Sequence, residues 1–163
     1  MIGDAIKFVL ANLPALLFVA AFVVAAARKA PPSFATRLFD WLLLLSVGVE
    51  ALWAGLFHVF FPHIAAASIG WQVSPFQFEI GVADISIGIV GIVAFWRSLD
   101  FKEAAVWYIT LFYIGVAIGH VREAMSGDMA PDNFGLLLII TVVQIILLPV
   151  LLWLARREAN AKS

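Results

Sequence analysis

Cysteine is absent from the 163 residues, which excludes disulfides, thiolate metal sites and a cysteine nucleophile. Charge is scarce as well. Asp, Glu, Lys and Arg make up 13% of the chain, about half of the roughly 25% usual in a soluble domain. The formal charge is −1, so there is no basic face to hold nucleic acid and no electrostatic partner is indicated. The common nucleotide and hydrolase signatures are missing too: no GxGxxG, Walker loop, GxSxG or paired Glu-x-x-His of the soluble di-iron type occurs. Apolar residues are what the chain has in excess. They make up 64% of it, against about 45–50% in ordinary domains, and the mean hydropathy is +1.04. So few charged side chains do not cover a water-soluble globule. The composition describes an all-α integral membrane protein.

A bilayer core needs about 20 mostly apolar residues per helix. Five stretches qualify: residues 6–27, 38–61, 76–96, 104–121 and 134–154, together forming one transmembrane domain over 1–163. Arg28-Lys29 and Pro31-Pro32 end the first, and Pro62 ends the second. Ser74-Pro75-Phe76-Gln77 opens the third with a Ser cap, a Pro at the first helical position and a Gln three residues after the cap. Asp132 or Asn133 can cap the fifth, while Pro14 and Pro149 fall inside apolar runs and are expected to kink them. The first stretch is too long for a secretion signal, and Asp4 stands beside a single Lys7, so a retained helix is expected.

Orientation follows from the cations. Arg28, Lys29, Arg37, Arg97, Lys102, Arg156, Arg157 and Lys162 share one side, eight of the ten basic residues, leaving Lys7 and Arg122 on the other. The positive-inside rule then puts the N-terminus outside and the C-terminus in the cytoplasm. Trp41, Trp96 and Trp153 fall near the inner interface and Trp71 near the outer one. The stretch from Pro62 to Val73 has no Lys or Arg, and reads either as a segment lying on the outer interface or as a short connector.

The acids and histidines concentrate at one depth. Glu50 lies near mid-membrane in the second stretch, with His58 toward its outer end; Glu79 and Asp84 follow in the third, and the fourth ends with His120-Val121-Arg122-Glu123. All six acid and imidazole groups fall in the outer half. Glu50 and His58 are eight residues apart, hence roughly 80° apart around a helix, and His120 and Glu123 share a face. Glu79 and Asp84 are five apart, roughly 140° around, so both cannot point at one centre. A charge at the helix centre costs about 2.5–3.5 kcal/mol, so Glu50 bears the largest penalty and Asp84 much of it. The bland reading gives Glu50 a hydrogen bond to Gln144 or Thr141 and Asp84 a pairing with a Ser or with Arg122. Small-residue runs (Ala51-x-x-x-Gly55, the series Gly81, Gly88, Gly91, and Gly115-Val116-Ala117-Ile118-Gly119) read as close helix packing.

Ala54-Gly55-Leu56-Phe57-His58-Val59-Phe60-Phe61-Pro62, with the later Phe78-Glu79-Ile80-Gly81, Gly88 and Gly91, resembles the DoxX-like membrane proteins, although His58 stands where that pattern has Lys. The stretch Ser74-Pro75-Phe76-Gln77-Phe78-Glu79 and Gly119-His120 with Ala130-Pro131-Asp132-Asn133-Phe134-Gly135 resembles a bacterial family of small membrane proteins of unknown function. The resemblance implies a four-helix membrane bundle preceded by one extra helix, placed in the bacterial inner membrane. It also implies quinone-linked or sulfur-linked redox roles, often as a partner subunit.

Three functional readings follow. The first is a divalent metal (Fe, Mn or Zn) held by Glu50, His58, Glu79, His120 and Glu123, acting on a lipophilic or quinone-type substrate as a membrane oxidoreductase or its subunit. Asp84, Arg122 and Gln144 would complete the polar surroundings. The second is a proton- or ion-coupled transporter, with a homo-oligomer supplying the missing polar path in the inner half. The third is an accessory subunit, or one holding haem between His58 and His120.

Overall fold

The computed structural model describes residues 12–29, 31–127 and 135–162. Among them the chain forms six helices and no strand. Helix α1 is Leu13–Ala27, α2 is Phe34–Phe60, α3 is the short Pro62–Ser68, α4 is Pro75–Ala94, α5 is Leu99–Met125 and α6 is Leu136–Asn160. Four of these, α2, α4, α5 and α6, are long and apolar enough to cross a membrane. The fifth expected span is described only as the 15-residue α1; its start, with Asp4 and Lys7, lies outside the described residues, as do Asp132 and Asn133.

The helix boundaries depart from the apolar runs for identifiable reasons. Helix α5 begins five residues before the expected 104 because Ser98 caps it, accepting from the Phe101 N–H, and because Lys102 is buried (6% exposed) against Asp40 of α2. Helix α6 runs on to Asn160 because its last turns are tied down: Arg156 pairs with Asp100 (2.6 Å) and Glu103 of α5. Pro14 corrects an expectation, since it sits in the first turn of α1, where a missing N–H is harmless. Pro149 does lie inside α6. Ser74 starts α4 without a side-chain cap. Gln77 (2% exposed) instead donates its amide across to the Pro62 carbonyl at 2.7 Å, joining the starts of α3 and α4. The stretch after Pro62 is thus half helix, not a plain loop.

Two helix pairs make the bundle. In the first, α2 packs along α4 through glycines. A Cβ built on Gly55 would sit 2.6 Å from the Gly81 carbonyl and the Ile85 N, and one on Gly81 would sit 2.9 Å from the His58 Cβ. Small residues allow such approach between membrane helices, as the spacing predicts. In the second pair, α5 packs along α6, while α4 and α5 touch only lightly. Within α2, Leu42–Val49 is a π-helix, which returns to α-helix at Glu50.

The two ends of the bundle differ. The buried apolar cluster is built from Ala21 and Ala25 of α1, Leu38 to Ala51 of α2, Ile87 and Ala94 of α4, Ala105 to Ile109 of α5, and Leu148 to Ala155 of α6. Most of these belong to the half next to Arg28, Arg97 and Arg156. That basic end is also stapled by polar contacts. Glu158 accepts from the Thr36 hydroxyl (2.7 Å) and from the Ser33 N–H, and Arg37 donates to the Ala25 carbonyl at the end of α1. Arg28 and Arg157 lie over the rings of Trp41 and Trp153. Large apolar side chains such as Ile118, Ile139, Val142 and Ile146 remain exposed along the outside, a band suited to lipid and not to water.

Candidate functional site

At the end away from the staples, the two helix pairs part around a cavity of about 630 Å³. Its walls come from Ser46, Glu50, Ala54 and His58 of α2, Ile80 and Asp84 of α4, Leu111, Phe112, Tyr113, Gly115, Gly119, His120 and Glu123 of α5, and Leu137, Ile140, Thr141 and Gln144 of α6. Trp71, from the segment between α3 and α4, and Pro14 of α1 complete it. Most of this surface is apolar. That size, with a few convergent polar groups, is the usual form of a small-molecule site.

The polar groups arrive from separate helices. Glu50 and His58 reach the cavity from one face of α2 because the helix between them is regular α, as their spacing predicts. The π-helix ends directly before Glu50, so the rotation that brings Glu50 to this wall differs from what a uniform helix from Phe34 would give; such insertions recur at functional sites. The Gly81 backbone lies against the His58 Cβ and so fixes that imidazole beside the seam. His58 Nδ1 is buried with no hydrogen-bond partner among the described residues.

Glu50 and Asp84 lie close enough for their charges to interact, and the fields of both reach Tyr113. Neither carboxylate hydrogen-bonds to another described residue. The partners offered by the bland reading are engaged elsewhere. Thr141 donates to the Leu137 carbonyl at 3.0 Å, and Gln144 donates its amide N–H to Ser46 Oγ at 2.7 Å. Gln144 is 2% exposed, and its Oε1 is left without a partner among the described residues.

Of the residues singled out from the sequence, Glu50, His58, His120, Glu123, Asp84 and Gln144 share the cavity wall. Glu79 does not; it is exposed, and Asp84 takes the inward position of that pair. Arg122 lines a smaller neighbouring recess with Gly119, Glu123 and Ser126. Among the described residues, no group of three or more His, Asp or Glu side chains is arranged to hold a metal ion. Gly115 and Gly119 correct the packing expectation: a Cβ on either would meet nothing within 4 Å, and both face the cavity. Tyr113, Ser46 and Trp71 were not foreseen as wall residues. Tyr113 had a legible signal, since it precedes His120 by seven residues and so shares its face of α5.

Neither a curated protein nor a solved structure gives a significant match to this chain. A family-model match supports the likeness to a family of unknown function and lends no support to the DoxX-like one. Residues 9–161 match DUF6790, and the chain belongs to that family of unknown function.

Proposed function

We propose that this is a membrane-embedded binding protein that takes a membrane-soluble small molecule into the cavity between its helix pairs. The ligand's polar head meets Glu50, Asp84 and Tyr113, and its apolar part lies along Leu111, Ile140 and Trp71. One observation carries this reading: an apolar cavity of about 630 Å³ holds two interacting carboxylates that no described residue satisfies. Unpaired polar groups in hydrocarbon are costly, and they mark function in membrane helices. The basic residues gathered at the stapled end support a cytoplasmic location for that end, so the cavity opens toward the outer leaflet of a bacterial inner membrane. Thermal unfolding with a panel of quinones, isoprenoid alcohols and alkyl amines tests the reading. At least one compound is expected to raise the Tm of the wild type and to leave Gly115→Leu, whose new side chain enters the cavity, unshifted. A panel that shifts neither protein, or both equally, overturns it.

A divalent metal is the second reading, supported by the hard oxygen ligands Glu50 and Asp84 in one cavity with His58, His120 and Glu123. A metal there would complete its shell with water or with a donor from the bound molecule. Metal analysis of purified wild type, His58→Ala and His120→Ala decides it: stoichiometric metal reduced by either substitution supports the reading, and unchanged trace metal in all three removes it.

A further inference from the structure

The cavity's unsatisfied polar atoms are mostly acceptors. Glu50 and Asp84 place two carboxyl groups on the wall, and a carboxylate ionised by a bound cation only accepts hydrogen bonds. Gln144 adds a third acceptor, because its N–H is given to Ser46 and its buried Oε1 has no partner among the described residues. Glu50 and Asp84 stand on one apolar cavity wall, where a carboxyl group ionises only with a counter-charge beside it. Among the described residues that line the cavity there is no Lys or Arg.

Resting on the proposed binding role, we infer that the ligand class is a lipophilic primary ammonium: a compound with a protonated amine head and a hydrocarbon tail. The ammonium supplies both missing items at once, a positive charge between Glu50 and Asp84 and N–H donors for their oxygens. Trp71, Phe112 and Tyr113 on the same wall add aromatic rings, whose faces attract ammonium groups. A neutral quinone head brings only acceptors to a site already rich in them. An anionic head brings a third negative charge.

Binding of tritiated decylamine, decanol and decyl sulfate to protein in zwitterionic nanodiscs, with empty nanodiscs subtracted, tests this. In the wild type, decylamine is expected to bind saturably and at least tenfold tighter than decanol, with no saturable binding of decyl sulfate. Glu50→Gln and Asp84→Asn are each expected to erase the amine's advantage over decanol, with a cooperative thermal unfolding transition showing that the variants are folded. Gly115→Leu is expected to abolish saturable binding of amine and alcohol alike. Decanol binding as tightly as decylamine, or an amine preference that survives in both carboxamide variants, overturns the ammonium class and leaves the binding cavity standing. No saturable binding of any probe overturns both.

Discussion

Ser46 and Gln144 show how a single hydroxyl can decide what a neighbouring side chain presents. The Ser46 Oγ takes the Gln144 N–H at 2.7 Å deep in the bundle, and this fixes which end of the amide is left over. Removing the hydroxyl leaves a buried N–H with only the more distant Ser46 carbonyl, 3.4 Å away. Such bonds between membrane helices average about 0.6 kcal/mol and reach about 1.7, while an orphaned buried donor costs about 1–3. Ser46→Ala is therefore expected to destabilise the protein by about 1 kcal/mol, measured by reversible unfolding in mixed micelles; a change below about 0.3 kcal/mol would show that the amide re-pairs freely. At this scale the sequence was partly legible. The expense of a carboxyl at the centre of an apolar run singles out Glu50 without any coordinates, and the five-residue spacing of Glu79 and Asp84 says that only one turns inward. It does not say which one, because that depends on how α4 is rotated against α2.

Two glycine pairs written almost alike do opposite jobs in their helices. Gly81 and Gly88 in α4, with Gly55 in α2, lie where the two backbones meet, and the atoms that an added methyl would strike at Gly55 are main-chain atoms unable to step aside. Gly115 and Gly119 in α5 face open space. Gly55→Ala is expected to lower stability by about 2 kcal/mol, within the usual range of about 1–3 for overpacking. Gly115→Ala is expected to be neutral or to stabilise by up to about 1 kcal/mol, because alanine is the better helix former. Unfolding of the two variants side by side checks the contrast, and equal losses would deny the difference in environment. Sequence alone treats both runs as packing motifs, since the face that meets a neighbour is a property of the assembled bundle. The spans themselves were legible because lipid demands long apolar runs. Their ends were not, because Lys102, Glu103 and Arg156 look like loop charges until Asp40 and Asp100 are seen opposite them. The π-helix over Leu42–Val49 left no mark in an unbroken apolar run.

Across the whole molecule, the described residues pack a core toward one end and surround a cavity toward the other. Its apolar core and its ion pairs collect in the basic half, so the two helix pairs are fastened there and free to part around the cavity. Lys102 and Asp40 join α5 to α2 across that fastening. Taking one partner from a buried pair costs about 3–5 kcal/mol; since Asp40 is only partly covered, Lys102→Met is expected to cost about 3 kcal/mol. The double variant Lys102→Met with Asp40→Leu is expected to recover most of that loss, because the stranded charge is gone. Guanidinium or SDS unfolding of the three proteins measures this, and a double variant as weak as the single one would mean that the pair does more than satisfy itself.

The open space beside Gly115 and Gly119 gives the proposed site an adjustable aperture. Side-chain bulk can be added at those two addresses one carbon at a time, narrowing what the chamber admits, while the α2–α4 contact that holds the scaffold upright stays untouched. Natural variants that differ in appetite for long or short guests would then vary in size at 115 and 119 and stay monotonous at 55 and 88.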